Sequence, residues 1–263
     1  TVVLSLGTQR MAAQNAIVKD LSSVETLGSA SVIASDKTGT LTRNEMTLQK
    51  VVTASGEVEI SGVGYSPEGG VTQSGKPLAA DVLSEAQVAL RGGSIANDAR
   101  LDRDEEGLWQ IQGDPTEAAF LVAAHKIEGV ISDIRAYERL GEVPFTSARK
   151  MMSVVGELPD AGTVMYTKGA PDVLLSSCSS VLVGEKEVAL DDARRARILA
   201  ETERLAGQAY RTLAVAYREL SSVDELGDEF DEDDESDLCF VGIVAMIDPP
   251  RTEASDAIAE AHR

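Results

Sequence analysis

Asp36-Lys37-Thr38-Gly39-Thr40-Leu41-Thr42, preceded by the apolar run Val32-Ile33-Ala34, sets the expected architecture of this chain. The succession predicts a buried strand that delivers a carboxylate into a tight, hydroxyl-rich loop. In open α/β sheets, reactive groups collect beyond the carboxyl ends of strands. An ionised Asp placed there can attack a phosphoryl group and carry it covalently. The bland alternative is an Asp/Gly turn after a core strand.

Upstream of this loop, Met11, Ala12, Ile17, Val18 and Leu21 recur at roughly helical spacing, and the chain opens abruptly, as a cut inside a larger protein would. Downstream, from about residue 48 to 238, β-type runs alternate with helical segments. The runs are Lys50–Thr53, Glu57–Ile60, Met151–Val155, Val164–Tyr166, Val181–Val183 and Leu213–Tyr217; the helices are Asp81–Arg91, Pro115–His125 and Asp191–Gln208. Leu238–Ile247 is a long apolar run that predicts a buried strand, and Asp248-Pro249-Pro250-Arg251 ends it. Thr252, with Glu253 and Asp256, is the expected N-cap of a last helix. The simplest architecture is an α/β domain interrupted by a large α+β insertion. Residues 1–47 and 239–263 then belong to the interrupted domain, each with one of its central strands, and residues 48–238 form the insertion.

Composition narrows the function classes. The 263 residues are 43% hydrophobic and carry a net charge of −20, which argues against a nucleic-acid backbone as partner. Half of that charge lies between Asp224 and Asp237, where ten Asp/Glu meet no Lys or Arg. Such a block repels itself and predicts a solvated or disordered loop. Its spacing does not fit a calcium loop of the D-x-[DN]-x-[DN]-G kind. No apolar run reaches the roughly eighteen residues that a membrane span needs. Cys178 and Cys239 stand far apart without metal-ligand company and are expected to be buried, reduced thiols; His125 and His262 are expected to be ordinary side chains. Gly70-Val71-Thr72-Gln73-Ser74-Gly75-Lys76 nearly fits a phosphate loop, but Pro77 removes both the hydroxyl and a backbone donor, so a surface turn is expected.

Five further motifs carry chemistry: Gly113-Asp114-Pro115-Thr116-Glu117, Pro144-Phe145-Thr146-Ser147-Ala148-Arg149-Lys150-Met151-Met152, Tyr166-Thr167-Lys168-Gly169-Ala170-Pro171, Tyr210-Arg211-Thr212-Leu213, and Asp248 with Arg251. With the Asp36 heptad they resemble the P-type ATPases, calcium-pump-like branch, over nearly the whole chain. The resemblance implies a haloacid-dehalogenase-like (Rossmannoid) phosphorylation domain in fragments. These are interrupted by a nucleotide-binding domain with a mainly antiparallel sheet flanked by helices. It implies ATP and Mg²⁺ as cofactors, Asp36 as nucleophile on the γ-phosphate, Lys37 as a charge near the oxyanions and Thr40 as a hydroxyl on the phosphoryl group. It makes Asp36 and the Thr38 carbonyl the metal ligands, with Gly39 allowing close approach of the backbone. In the insertion it implies Glu117 accepting from the adenine amino group, Phe145 stacking on the base and Lys150 near base or phosphates. Lys168 and Gly169 would line the deep end of the pocket, Arg211 and Arg251 reach the phosphates, and Asp248 faces the ribose. Asp172 stands where many members have Glu.

The resemblance also implies partners: the transmembrane domain and the remaining cytoplasmic domains of the same parent chain, which make this the cytoplasmic portion of an integral membrane protein. No His-Pro pair is present, unlike heavy-metal pumps of the family. Sodium/potassium-, proton- and magnesium-type relatives stay open. Thr-Gly-Asp and Gly-Asp-Gly-x-Asn-Asp motifs are not in the sequence, so ATP binding with little turnover is expected. Two alternatives stand beside the pump: an ATP-binding module without turnover, and a haloacid-dehalogenase-type phosphatase with a large cap. The phosphatase is disfavoured because Thr38 occupies the place of its second Asp and cannot serve as general acid/base.

Overall fold

The computed structural model describes residues 2–20, 22–159, 161–222 and 230–262. It resolves two compact units, Thr1–Leu41 and Thr42–Arg263. The smaller contains helices α1 (Val2–Ala13) and α2 (Ser22–Leu27), followed by extended chain and a single turn over Lys37–Leu41. The buried strand expected at Val32–Ala34 does not form: Val32 and Ile33 are 80% and 74% exposed. Among the described residues no strand lies alongside to take up its backbone N–H and C=O groups, and an apolar run without a partner has nothing to be buried against.

The larger unit is built on one twisted sheet. Its strands are β1 (Thr47–Thr53), β2 (Glu57–Ile60), β3 (Val71–Thr72), β6 (Glu138–Val143), β7 (Met151–Leu158), β8 (Gly162–Gly169), β9 (Cys178–Val183), β10 (Lys186–Ala189), β11 (Arg211–Leu220) and β12 (Leu238–Ile247). A separate hairpin pairs β4 (Arg100–Arg103) with β5 (Trp109–Gln112). The main order is β3-β2-β1-β12-β11-β8-β7-β6, antiparallel throughout, with β9 joining β12 in a parallel pairing and β10 flanking β9. Helices α3 (Ala80–Ile95), α4 (Pro115–Ala124) and α5 (Val130–Ala136) cover one face. Helices α6 (Pro171–Ser176) and α7 (Asp192–Gly207) cover the other. Helix α8 (Thr252–Ala261) buries none of its residues.

Strand β12 corrects the expected division. Leu238–Ile247 lies in the middle of the inserted sheet, between β1 and β11, rather than in a separate α/β domain, so a boundary at 238/239 cuts across the sheet. Its residues are buried on both faces because helices pack on both, and that produces the unbroken apolar run. Gly242 sits where a Cβ would come within 2.7 Å of the Val52 carbonyl, next to a bulge against β11 that leaves Val241 unpaired. Thr252 is the first residue of α8, not its cap; Arg251 holds the cap position and makes no side-chain capping bond.

Two connectors run side by side where the sheet is entered and left. Thr42 bridges Pro250, and the Arg43 amide donates to the Pro249 carbonyl (3.0 Å). Asp248 accepts from the Thr42 hydroxyl (2.5 Å) and the Glu45 amide (3.2 Å), while Arg251 Nε donates to the Thr42 carbonyl (3.1 Å). The acidic block is only partly describable, since residues 223–229 lie outside the described residues. In the described remainder Asp231, Glu232, Asp233 and Asp237 are exposed, as expected of a solvated segment, and Glu232–Asp234 form a 3₁₀ turn capped by Asp231; Glu235 departs from it, at 5% exposed. The near-phosphate loop is a surface turn closed by reciprocal bonds between Gln73 and Lys76. Both thiols are buried and free.

Candidate nucleotide site

Antiparallel pairing gathers the insertion's motifs at one end of the sheet. Met151, at the start of β7, lies opposite Gly169, at the end of β8, and Gly169 lies opposite Ala214 of β11. Arg211, the first residue of β11, lies opposite Met246, two residues before Asp248. Lys150, Gly169, Arg211 and Asp248 therefore share this end although they span about a hundred residues of chain.

Lys168 and Glu117 form the centre. Lys168 is 6% exposed, and its ammonium meets Glu117 Oε1 at 2.8 Å and lies 5.6 Å from the centroid of the Phe120 ring. Glu117 is delivered by the first turn of α4, which begins where the sequence requires: Asp114 accepts from the Thr116 amide (2.7 Å), and Pro115 occupies a position whose N–H would be orphaned anyway. The second carboxylate oxygen, Oε2, accepts from the Asp98 amide (3.3 Å), and Asn97 Nδ2 donates to the Glu117 carbonyl (2.8 Å). Asn97 and Asp98 carry no motif, and nothing local in the sequence marks them. Burial pushes the Lys168 ammonium down, and the carboxylates of Glu117, Asp98 and Asp114 oppose it. Burial also acts to raise the Asp114 carboxyl, yet bonds from Thr116 and the charge of Arg211 hold it below the usual range. Tyr65 is raised by burial and by the nearby Glu45, Asp248 and Asp114 charges, so these carboxylates gather at the same end.

Gly169 is close to the β7 chain: a Cβ there would meet the Lys150 carbonyl and Met151 Cγ at 2.7 Å. Phe145 stands in the loop between β6 and β7 and is 58% exposed, unlike Phe120 and Phe240, which are core residues. Lys150 is exposed with φ +58°, a left-handed backbone. The arrangement offers a flat aromatic face, a buried ammonium–carboxylate pair and an arginine at the edge. Those are the groups needed for a planar, hydrogen-bonding base with an anionic tail. A cavity of about 720 Å³ lies on the α6–α7 face, lined by Val52, Arg197, Phe240 and Ile243 among others, and includes none of these residues.

Asp36, Lys37, Thr38 and Thr40 lie in the smaller unit, all exposed. Thr38 is extended (φ −74°, ψ 123°) and Gly39 has φ +75°, the conformation that makes glycine the fitting residue in this turn.

A family model described as P-type ATPase, cytoplasmic domain N, matches residues 85–253. The chain is 41% identical to the calcium-transporting ATPase of Bacillus subtilis, over 99% of this chain and 29% of that protein. It is 38% identical to calcium-transporting ATPase 1 of Lactococcus lactis, over all of this chain and 27% of that protein. It is 37% identical to the cation-transporting ATPase pma1 of Synechocystis, over all of this chain and 29% of that protein. The chain thus spans less than a third of the length of these relatives. The match and the identities, which run across the whole chain, place it in the P-type ATPase family, where it carries cytoplasmic domain N.

Proposed function

We propose that this chain is the ATP-binding and phosphorylation segment of an ATP-driven cation pump. The observation that carries the reading is the buried Lys168–Glu117 pair at the sheet end where Gly169, Lys150, Arg211 and Asp248 also come together, with Phe145 exposed in the loop that leads into β7. Phe145 stacks on adenine, Glu117 accepts from its amino group, and Lys168 with Gly169 closes the inner end of the pocket. Lys150 and Arg211 face the phosphates; Asp248 and Arg251, in the paired connectors, face ribose and phosphates. Such a site holds substrate and leaves the chemistry to another group, because phosphoryl transfer needs positioning and charge neutralisation above all.

That group is Asp36. Its carboxylate oxygen attacks the γ-phosphorus, an O–P bond forms, the bond to ADP breaks, and ADP leaves with the electron pair. Lys37 and Thr40 meet the phosphoryl oxygens. The Asp36 carboxylate and the Thr38 carbonyl fit Mg²⁺, which takes one or two carboxylates and completes its shell with water and substrate oxygens. When bound, Mg²⁺ neutralises phosphate charge. Without a second Asp at Thr38, water attack on the aspartyl-phosphate is slow, which suits a pump intermediate. The segments before Thr42 and after Asp248 belong to a haloacid-dehalogenase-like phosphorylation domain, and a membrane domain of the same parent chain selects the cation. Among the described residues no helix is long and apolar enough to cross a membrane.

Calorimetric titration of ATP and AMP into the 263-residue chain tests the site, wild type beside Phe145→Ala. Saturable binding that falls at least fivefold in the variant is expected from the roughly 1–3 kcal/mol of one base–aromatic stack. Undiminished binding removes Phe145 from the site. In the full-length parent, radiolabelled ATP with acid quench should give an alkali-labile phosphoenzyme that Asp36→Asn abolishes.

A further inference from the structure

The loop that carries Phe145 has little of its own to hold it. Phe145 projects into solvent, Lys150 is left-handed, and the turn is closed by the Lys150 amide on the Thr146 carbonyl (2.7 Å) and the Arg149 amide on Thr146 Oγ1 (3.2 Å). One side chain ties both of its ends. Arg149 Nη2 donates to the carbonyls of Val143 (3.4 Å) and Pro144 (2.7 Å) on the entering arm and of Met151 (2.9 Å) on the leaving arm. The Arg149 side chain is only 12% exposed, and its other two nitrogens face the end of the acidic block. Nε lies 2.9 Å from Glu235 Oε2 and Nη1 lies 3.0 Å from Glu232 Oε1. The other Glu235 oxygen accepts from Ser153 Oγ (2.5 Å), and Ser153 bonds Thr167 Oγ1 (2.8 Å), the residue before Lys168. Glu235, Ser153 and Thr167 are all buried.

We propose that Arg149 is a positioning residue for the nucleotide, held in place by Glu235, so that the end of the acidic block sets the affinity of the Phe145 loop. This rests on the adenine site proposed above. Arg149 brings Nη2 to carbonyls on both arms while Nη1 meets Glu232 and Nε faces Glu235 as a charge contact, a spread of nitrogens that a lysine ammonium lacks. The network reaches the site through the loop that carries Phe145; Ser153 and Thr167, which anchor Glu235, lie on the face of the sheet opposite Lys168. A glutamate buried close to the exposed Asp231, Glu232 and Asp233 needs an explanation that solubility does not give, and holding Arg149 supplies one.

The test is AMP titration by calorimetry into the 263-residue chain and its variants Phe145→Ala, Arg149→Lys, Glu235→Gln and Phe145→Ala/Arg149→Lys, with urea midpoints measured beside each. Arg149→Lys keeps the charge but loses the fork, so it serves if Glu235→Gln fails to fold. The expected result is a three- to tenfold weaker affinity in Arg149→Lys and Glu235→Gln, and less than a twofold further loss when Arg149→Lys is added to Phe145→Ala. Full affinity in Arg149→Lys, with Phe145→Ala weakened, overturns the positioning role and leaves the adenine site standing. An equal loss from Arg149→Lys with and without Phe145 also overturns it, because the arginine then acts on nucleotide or fold without the loop. Full affinity in Phe145→Ala overturns the adenine site itself.

Discussion

Replacing Glu117 by Gln removes one charge and little volume, and it leaves Lys168 as a buried ammonium without its counter-ion. Lys168 is 6% exposed and meets Glu117 at 2.8 Å, with the Glu117 side chain about one-fifth exposed. Breaking a fully buried pair costs roughly 3–5 kcal/mol. The partial exposure of Glu117 and the acceptor retained by Gln lower this to about 2–3 kcal/mol at pH 7. The lysine has an escape: it can lose its proton. Burial already pushes its pKa down and Glu117 opposes that, so the variant pushes it lower still. The unfolded chain then binds more protons than the folded one between the depressed folded pKa and the ordinary value. In that window stability rises with pH, by at most about 1.4 kcal/mol per unit. The deficit of Glu117→Gln relative to wild type should therefore shrink from pH 7 to pH 9.5. Urea unfolding followed by circular dichroism, for both proteins at several pH values, measures it. A deficit below about 0.5 kcal/mol at pH 7, or one that does not change with pH, would refute the picture of a desolvated ammonium that depends on this carboxylate.

Three other outcomes follow from the same architecture. Gly93→Ala drives a Cβ into the ring of Phe120, itself fully buried beside Lys168, and should cost about 2–3 kcal/mol in urea unfolding as overpacking does. Asp114→Ala removes the α4 cap and should cost about 1 kcal/mol, with weaker AMP binding because α4 aims Glu117; unchanged stability would remove the capping role. Burial pushes the Cys178 thiol up to about 12 and the Cys239 thiol up to about 11. A thiol-specific disulfide reagent at pH 8 should therefore label neither in the folded chain and both in urea, and rapid native labelling of either would contradict their burial.

Much of the larger unit was legible because its elements carry their causes locally. Helix α4 announces itself by Asp114 and Pro115, and the runs at β7, β8 and β11 are apolar because helices cover both faces of the sheet. Local signals fail in two places. Leu238–Ile247 has the composition of a doubly covered strand, which is the same in a parallel α/β sheet and in the middle of a covered antiparallel one, so composition could not assign it to a domain. Val32–Ala34 has the composition of a strand but lacks strand neighbours among the described residues, and neighbours make a strand. Edge elements escaped for the opposite reason. Strand β6 (Glu138–Val143) and the β4–β5 hairpin intersperse charges with apolar residues, as exposed edges do, and carry no unbroken apolar run. Glu235 was hidden by its company, since a buried acid in an acidic block cannot be told from its neighbours until Arg149, more than eighty residues away, comes into contact.

The motifs that the sequence offered as site residues lie near one another in the larger unit, and the topology explains why. In an antiparallel sheet the start of one strand lies beside the end of the next, so β7, β8, β11 and β12 bring four distant motifs to one end. Each motif is a short loop at a strand terminus, where sequence punctuation is strongest. What no motif could supply is the pairing of Lys168 with Glu117 across fifty-one residues. As a device for stability that pair is poor, because matched apolar side chains would serve as well or better. The surroundings treat it as something to be kept nevertheless: the Asp98 amide holds one carboxylate oxygen and Asn97 holds the backbone of the same residue. A fold that fixes a buried charge pair so closely keeps it for a reason other than stability, and the nucleotide proposed above supplies one.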